Sequence, residues 1–513
     1  MSHLLLWPIV LPLLGAALAL FLEHRRVGWK MRRWAAQVSL LAQGLAIAAV
    51  VEQVADGQVL AYLLGDWPAR LGIALMADRL SGWMLAVTWL LGAACLLYAC
   101  AGWDRRAPHF HAFFQLQLMG LNGAFLTGDV FNLFVFFEVM LSASYGLLAS
   151  GGRGLRLRGA FHYVAFNVAA SSVFLIALGL IYGLLGSLNM AELSARIGQV
   201  PAEQAGLVKA AFGLLLVVFC AKAALLPLYL WLPETYARAP AAVAALFAVM
   251  TKVGLYAVLR IGTLLLGAQA GLLAGFGQPA LLWLGAGTLL VAALGVLGSA
   301  RLRLMIGYLV IWSAATLFVA FALGQVGTIG AGLYYLAHST FVAAALFLIA
   351  DLIRRRRGAA DDDKSIIAPL PGRAVPGTLF LIAAVSVAGL PPLSGFLAKA
   401  ALLSAVPPAQ TPLVWTMVLG SSLLVIIGLS RAGVRLFWRL PAQVEQSECE
   451  QPVPARTRPQ ETWAAVLLLA FGVAMAAFAG PLMNYTDAAA RQLLDPAAYT
   501  GQLRAAPSVL RMQ

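Results

Sequence analysis

The chain has 513 residues, of which 62% are hydrophobic and 11% charged, with a mean hydropathy of +0.86 and a formal net charge of +14. That composition excludes a soluble globular protein and indicates an integral membrane protein. The positive charge requires no nucleic-acid partner, because the short cytoplasmic loops of membrane proteins collect Lys and Arg.

Apolar runs of roughly 20 residues, the length that crosses a hydrocarbon core, predict fourteen spans. They fall at 3–22, 34–52, 79–102, 110–127, 130–150, 160–185, 207–231, 239–265, 280–299, 304–323, 330–353, 376–405, 412–438 and 462–485. The first span is not expected to be a cleaved signal, since its basic cluster follows the apolar run. Of the 35 Lys and Arg residues, 24 lie in alternate connections beginning with the one after the first span; only eight lie on the opposite side. The positive-inside bias therefore puts both termini on the non-cytoplasmic side. The tetrad Arg354 to Arg357 reads as a stop signal rather than a lipid site. Two connections, around Arg354 to Val375 with Asp361-Asp362-Asp363-Lys364, and around Pro441 to Glu461, read as solvated loops.

Several chemistries have no residues to carry them. Cys95, Cys100, Cys220 and Cys449 have no CxxC or metal-ligand spacing, and no GxGxxG or GxxxxGK[ST] motif is present. No cofactor and no catalytic enzyme activity are expected. The work must come from an ion gradient or from a partner protein.

One glutamate and three lysines stand well inside predicted spans, where ionisable groups mark proton or ion paths. Glu138, in Phe131-Asn-Leu-Phe-Val-Phe-Phe-Glu138, is the acid. Lys222 lies in Ala221-Lys-Ala-Ala-Leu-Leu-Pro227, five residues before a mid-span proline that must break the helix. The freed backbone then has to be met by protein or by water in a cavity. Lys399 repeats this in Gly389-Leu-Pro-Pro-Leu-Ser-Gly395-Phe-Leu-Ala-Lys399, eight residues beyond the break and in a span of opposite direction. Inverted repeats with discontinuous helices are a transporter plan. Snorkelling to a nearby helix end is the competing reading of Lys399; Lys252, deep in its span, has no such end to reach.

An unpaired carboxylate and an unpaired ammonium are each costly in hydrocarbon, so Glu138 is expected to pair with a lysine, Lys222 foremost. Separating such a pair favours release of a proton. His338 reads either as a structural residue or as a relay between Lys252 and Lys399. Asp129, before the fifth span, reads equally as a helix cap or as a cation contact.

The stretches Asn122 to Glu138, with Thr127-Gly-Asp-Val-Phe-Asn-Leu-Phe-Val-Phe-Phe-Glu138, Ala221 to Glu234, and Gly389 to Lys399 resemble the antiporter-like subunits shared by respiratory complex I and Mrp-type multisubunit cation/proton antiporters, and look most like the D-type subunit of the Mrp (Pha) antiporters. The resemblance implies an all-α polytopic fold of about fourteen transmembrane helices in a bacterial inner membrane, with two inverted five-helix repeats and two broken helices. It divides the chain into N-terminal helices at 1–109, a first repeat at 110–265, a second at 280–438, and a C-terminal helix and tail at 462–513. It further implies a proton line through Glu138, Lys222, Lys252, His338 and Lys399. Protons, Na⁺ or K⁺, membrane lipid and the other subunits of a hetero-oligomeric complex are the implied partners. One departure stands out. Many relatives carry His-His-x-x-Val-Lys in the eleventh helix, where this chain reads His338-Ser-Thr-Phe-Val-Ala343. No long C-terminal lateral helix is read, which argues against the largest complex I subunit. The expected function is proton translocation in a Na⁺ or K⁺/proton antiporter. The alternatives are a proton-pumping subunit of a quinone-reducing complex, or a scaffold, which the retained ionisable residues disfavour.

Overall fold

The structure, a computed structural model, describes residues 3–67, 72–152, 154–366, 368, 370–438 and 458–505. Helices dominate, because a chain in lipid has to satisfy every backbone N–H and C=O internally. The first half comprises α1 (Trp7–His24), α2 (Trp29–Ala55), α3 (Arg79–Ala99), α4 (Phe110–Leu126), α5 (Val130–Ala149), α6 (Gly154–Leu185), α7 (Met190–Ile197), α8 (Ala202–Lys222), α9 (Trp231–Arg238), α10 (Ala241–Phe247) and α11 (Met250–Leu264). The second half comprises α12 (Gln278–Gly298), α13 (Leu302–Ala322), α14 (Val326–Arg356), α15 (Ala374–Ala388), α16 (Ser394–Ser404), α17 (Thr411–Gly433), α18 (Pro459–Ala477), α19 (Ala479–Leu494) and α20 (Ala497–Ala505).

Among the described residues, twelve helical stretches are long and apolar enough to cross a membrane. The other two expected spans fall on shorter pieces. Expected span 110–127 is the 17-residue α4, and 376–405 is divided between α15, of 15 residues, and α16, of 11. The structure therefore establishes a polytopic helical protein without establishing fourteen crossings.

Helices α10, α11, α13 and α14 form the centre and are buried almost throughout, whereas α1, α2, α6, α12 and α17 turn rows of Leu, Val and Phe outward. Apolar residues on every face suit both positions, since the outer helices meet lipid instead of protein. The one sheet among the described residues pairs β1 (Leu60–Leu63) with β2 (Ala74–Ala77), antiparallel, with Leu60 opposite Ala77 and Leu63 opposite Ala74. It lies at the arginine-poor end. Residues 127–129 and 188–190 extend this cover, with Gly128 N–H donating to Ala74 C=O and Met190 N–H to Gly128 C=O, each at 2.9 Å.

The connection after α14 is packed into the protein rather than forming the solvated loop expected. Asp362 is fully buried rather than solvated. Its carboxylate accepts from Arg303 N–H at 2.8 Å and pairs with the Arg303 guanidinium at 3.1 Å, so it pins the start of α13 to the chain leaving α14. The tetrad is likewise engaged within the protein. Arg354 pairs with Asp351 at 2.8 Å, Arg355 with Glu461 at 2.8 Å, and buried Arg357 donates to the carbonyls of Asp363 and Ile366. Each guanidinium has acceptors within reach once the chain folds back, and that return is invisible in a linear charge run. Arg70, Arg153, Arg439, Arg456, Arg511, Cys449 and residues 441–457 of the connection before Glu461 lie outside the described residues.

Candidate functional site

The first break falls where Pro227 requires it. Helix α8 ends at Lys222, Ala224 takes φ +60°, and helical structure resumes in α9. Protein groups meet the exposed backbone: Trp231 Nε1 donates to Ala221 C=O at 3.1 Å, and Leu226 N–H donates to Thr288 Oγ1 at 3.0 Å. Lys222 is buried at this end, with Nζ 5.9 Å from the centre of the Phe137 ring. It donates to Ser171 Oγ of α6 at 3.1 Å, and Ser171 Oγ in turn donates to Glu138 Oε1 of α5. The expected direct pair is thus a bridged one, with a hydroxyl between carboxylate and ammonium.

Lys252 occupies the first turn of α11 and is fully buried. Its Nζ donates to Ser313 Oγ of α13 at 2.9 Å, and Ser313 passes a hydrogen bond to Val310 C=O at 2.8 Å. Two residues on, Gly254 allows α11 to touch the first break. A Cβ there would lie 2.9 Å from Ala223 N and 3.0 Å from Phe219 O. Only glycine fits that approach, which draws the Lys252 turn against the end of α8 that carries Lys222.

The second break separates α15 from α16 at Gly389, whose φ is +76°, and at Pro391-Pro392. Lys399 does not snorkel. It is 7% exposed and turns back to the carbonyls that α15 leaves unpaired, donating to Ala388 C=O at 2.9 Å and Val387 C=O at 3.2 Å. Ser422 Oγ of α17 accepts at 3.2 Å, and Trp312 of α13 lies under the ammonium at 4.3 Å. A cation at a helix C-terminus is favourable as well as charge-satisfying. A cavity of about 460 Å³ opens beside Lys399 between Gly389, Phe396, Trp415 and Ser422.

His338 is buried on α14 and exchanges a 2.9 Å hydrogen bond between Nδ1 and Ser394 Oγ, at the start of α16. A Cβ on Gly395 would lie 2.8 Å from His338 Nε2. His338 therefore joins the second break, with its side-chain bond to Ser394, and α13 is a helix that touches both Lys252 and Lys399. There the neighbours Trp312 and Ser313 face Lys399 and Lys252 respectively. Ala343, where many relatives carry lysine, is buried and apolar. Asp129 caps α5, accepting from Asn132 N–H at 2.8 Å, as the capping reading expects.

Each ionisable residue of the line thus has one serine: Ser171 for Glu138 and Lys222, Ser313 for Lys252, Ser394 for His338, Ser422 for Lys399. None was singled out from sequence. A hydroxyl both donates and accepts, so these positions suit groups that change protonation. The available sequence signal was weak: serines at helical positions whose facing partner only the fold supplies.

Residues 127–425 match the family described as NADH:quinone oxidoreductase/Mrp antiporter, TM. The chain is 39% identical to a Rhizobium meliloti (strain 1021) protein named as the probable D-type subunit of a K(+)/H(+) antiporter, over 99% of this chain and 98% of that one. It is 33% identical to the D-type subunit of a Na(+)/H(+) antiporter of Bacillus subtilis (strain 168), over 97% and 99%. A chain of the Mrp complex from Dietzia sp. DQ12-45-1b superposes with a TM-score of 0.84 at 26% identity, covering 98% of this chain and 100% of that one. A chain of respiratory complex I from Thermus thermophilus, at 23% identity, TM-score 0.77 and coverages of 96% and 100%, shares the fold. With a family match across more than half of its length and relatives aligned from end to end, the chain belongs to the transmembrane family of NADH:quinone oxidoreductases and Mrp antiporters.

Proposed function

We propose that this chain is the proton-translocating D-type subunit of a multisubunit antiporter that exchanges protons for Na⁺ or K⁺. The end-to-end similarity to relatives named for antiport carries the reading; the serine-partnered line supports it. Lys222 holds its proton while Ser171 and Glu138 face it. As that bridge opens, the ammonium loses its acceptors and passes the proton on to Lys252 across the contact at Gly254. Helix α13, whose neighbours Ser313 and Trp312 touch Lys252 and Lys399, lies between the two lysines; water carries the proton past it to Lys399, where α15 carbonyls stabilise the arriving charge and His338 sits against the same break. No bond in this scheme is made or broken other than those to protons, so the chain acts as a transporter rather than a catalytic enzyme.

The arginine-rich end is assigned to the cytoplasm, which puts both termini outside. Residues 110–265 and 280–438 are assigned as inverted repeats, flanked by 1–109 and 462–513. The two interrupted helices, one in each segment and each beside a buried lysine, support that division. The test is to purify the tagged chain from its native membrane and assay inverted vesicles for cation-induced collapse of ΔpH. Small antiporter subunits and antiport activity are the expected results. Flavin and iron–sulfur subunits in the preparation would instead establish the quinone-reducing alternative.

A further inference from the structure

Beneath the sheet at the arginine-poor end is a buried ion pair outside the line just described. Asp78 follows β2 and caps α3, accepting from Ser81 N–H at 2.9 Å. Arg260 of α11 donates to both its oxygens, at 2.5 and 2.8 Å, and each residue is 2% exposed. The surrounding hydrogen bonds close into a ring. Arg260 Nη2 donates to Ser81 Oγ at 3.3 Å, Ser81 Oγ donates to Phe125 C=O at 2.7 Å, the Tyr256 hydroxyl donates to that carbonyl at 3.0 Å, and Arg260 Nε donates to the Tyr256 hydroxyl at 3.4 Å. The Tyr499 ring lies 5.1 Å from the guanidinium. Above it lie β2 and the bonded segments 127–129 and 188–190.

The register relates this ring to the proton line. Lys252, Tyr256 and Arg260 are spaced i, i+4 and i+8 and share one face of α11. Tyr256 is therefore about 6 Å and Arg260 about 12 Å along the axis from Lys252. Capping α3 needs only Asp78 and Ser81. A second, fully desolvated charge brought from another helix is costly, and it stands in line with an embedded lysine.

We propose that the Asp78–Arg260 pair is the gate closing the arginine-poor end of the Lys252 column. Closed, it presents a fixed guanidinium charge and a saturated ring, which oppose a migrating proton. Open, it frees the Asp78 carboxylate as a proton acceptor facing outward. The proposal rests on the reading of Lys252 as a proton carrier.

The test is the decay of an imposed ΔpH in vesicles holding the assembled complex, without Na⁺ or K⁺. The double variant Asp78→Asn/Arg260→Gln should speed the decay at least tenfold. Arg260→Lys keeps both charges but loses the two-pronged contact and should fall between the double variant and wild type. Wild-type decay in both variants overturns the gate; failure of both to assemble assigns the pair to folding alone and overturns it equally. Adding Lys252→Met to the double variant should restore slow decay. A leak that persists there places the pair off the Lys252 column and overturns the gate while leaving the antiport reading intact. Full antiport by Lys252→Met alone would instead remove Lys252 from the proton path.

Discussion

Replacing Ser171 tests the bridge on which the Glu138–Lys222 unit depends. The hydroxyl accepts from Lys222 Nζ at 3.1 Å and donates to Glu138 Oε1, so one atom serves both charged groups. Hydrogen bonds to charged partners contribute about 1.5–3 kcal/mol each, and about 1.4 kcal/mol corresponds to a factor of ten in rate. Losing one such bond from the transfer step should slow antiport by roughly 10- to 150-fold. Size separates the bridge from simple packing. Ser171→Ala leaves room for a water that can restore most of the link, so its loss should be under about tenfold. Ser171→Val fills that room and should show the full defect. The assay is cation-induced ΔpH collapse in inverted vesicles, with expression and co-purification of the partner subunits as controls. Equal, near-wild-type rates for Ala and Val would refute the reasoning, since the charged groups would then communicate without the hydroxyl or not at all.

Glu138→Ala should abolish antiport by leaving buried Lys222 without its carboxylate, an uncompensated charge that costs about 3–5 kcal/mol. Glu138→Asp should be milder, and a wild-type rate for Glu138→Ala at normal expression would sink the unit. Lys399→Arg should fail nearly as badly as Lys399→Ala, because a guanidinium does not release its proton; wild-type antiport with arginine would remove Lys399 from the path. Gly254→Val should lower the thermal stability of the assembled complex by about 1–3 kcal/mol, as overpacking does, because the added carbon meets the backbone at Ala223 and Phe219. An unchanged melting temperature would show that α11 can withdraw from the break without penalty.

The membrane class, the helical fold, both broken helices and the three buried lysines were legible in the sequence because each rests on a local rule. Long apolar runs need backbone satisfied within the helix, a mid-span proline cannot continue one, and charge in such a run is too costly to be incidental. What escaped were the partners across space. Ser171 stands 33 residues from Glu138 and 51 from Lys222, and no helical period relates them. Asp78 and Arg260, 182 residues apart, fell in a predicted loop and near a helix end, where isolated charges look ordinary. That the connection after the arginine tetrad is packed rather than solvated was hidden for a similar reason. The tetrad's acceptors, Asp351, Glu461 and the returning carbonyls, are supplied by folding.

The divided helix at Lys399 also bears on how the protein enters its membrane. At 1.5 Å per residue, α15 and α16 are about 22 and 16 Å long, and neither covers the roughly 30 Å of hydrocarbon. As a separate unit in lipid, the α15–α16 segment could pair the carbonyls of Val387 and Ala388 with Lys399, but it would leave the charge of that ammonium facing hydrocarbon. It becomes acceptable only when Trp312 and Ser422 close around that ammonium. Stable insertion of this part of the chain therefore needs α13, which precedes it, and α17, which follows it, so the segment is completed only after α17 is in place.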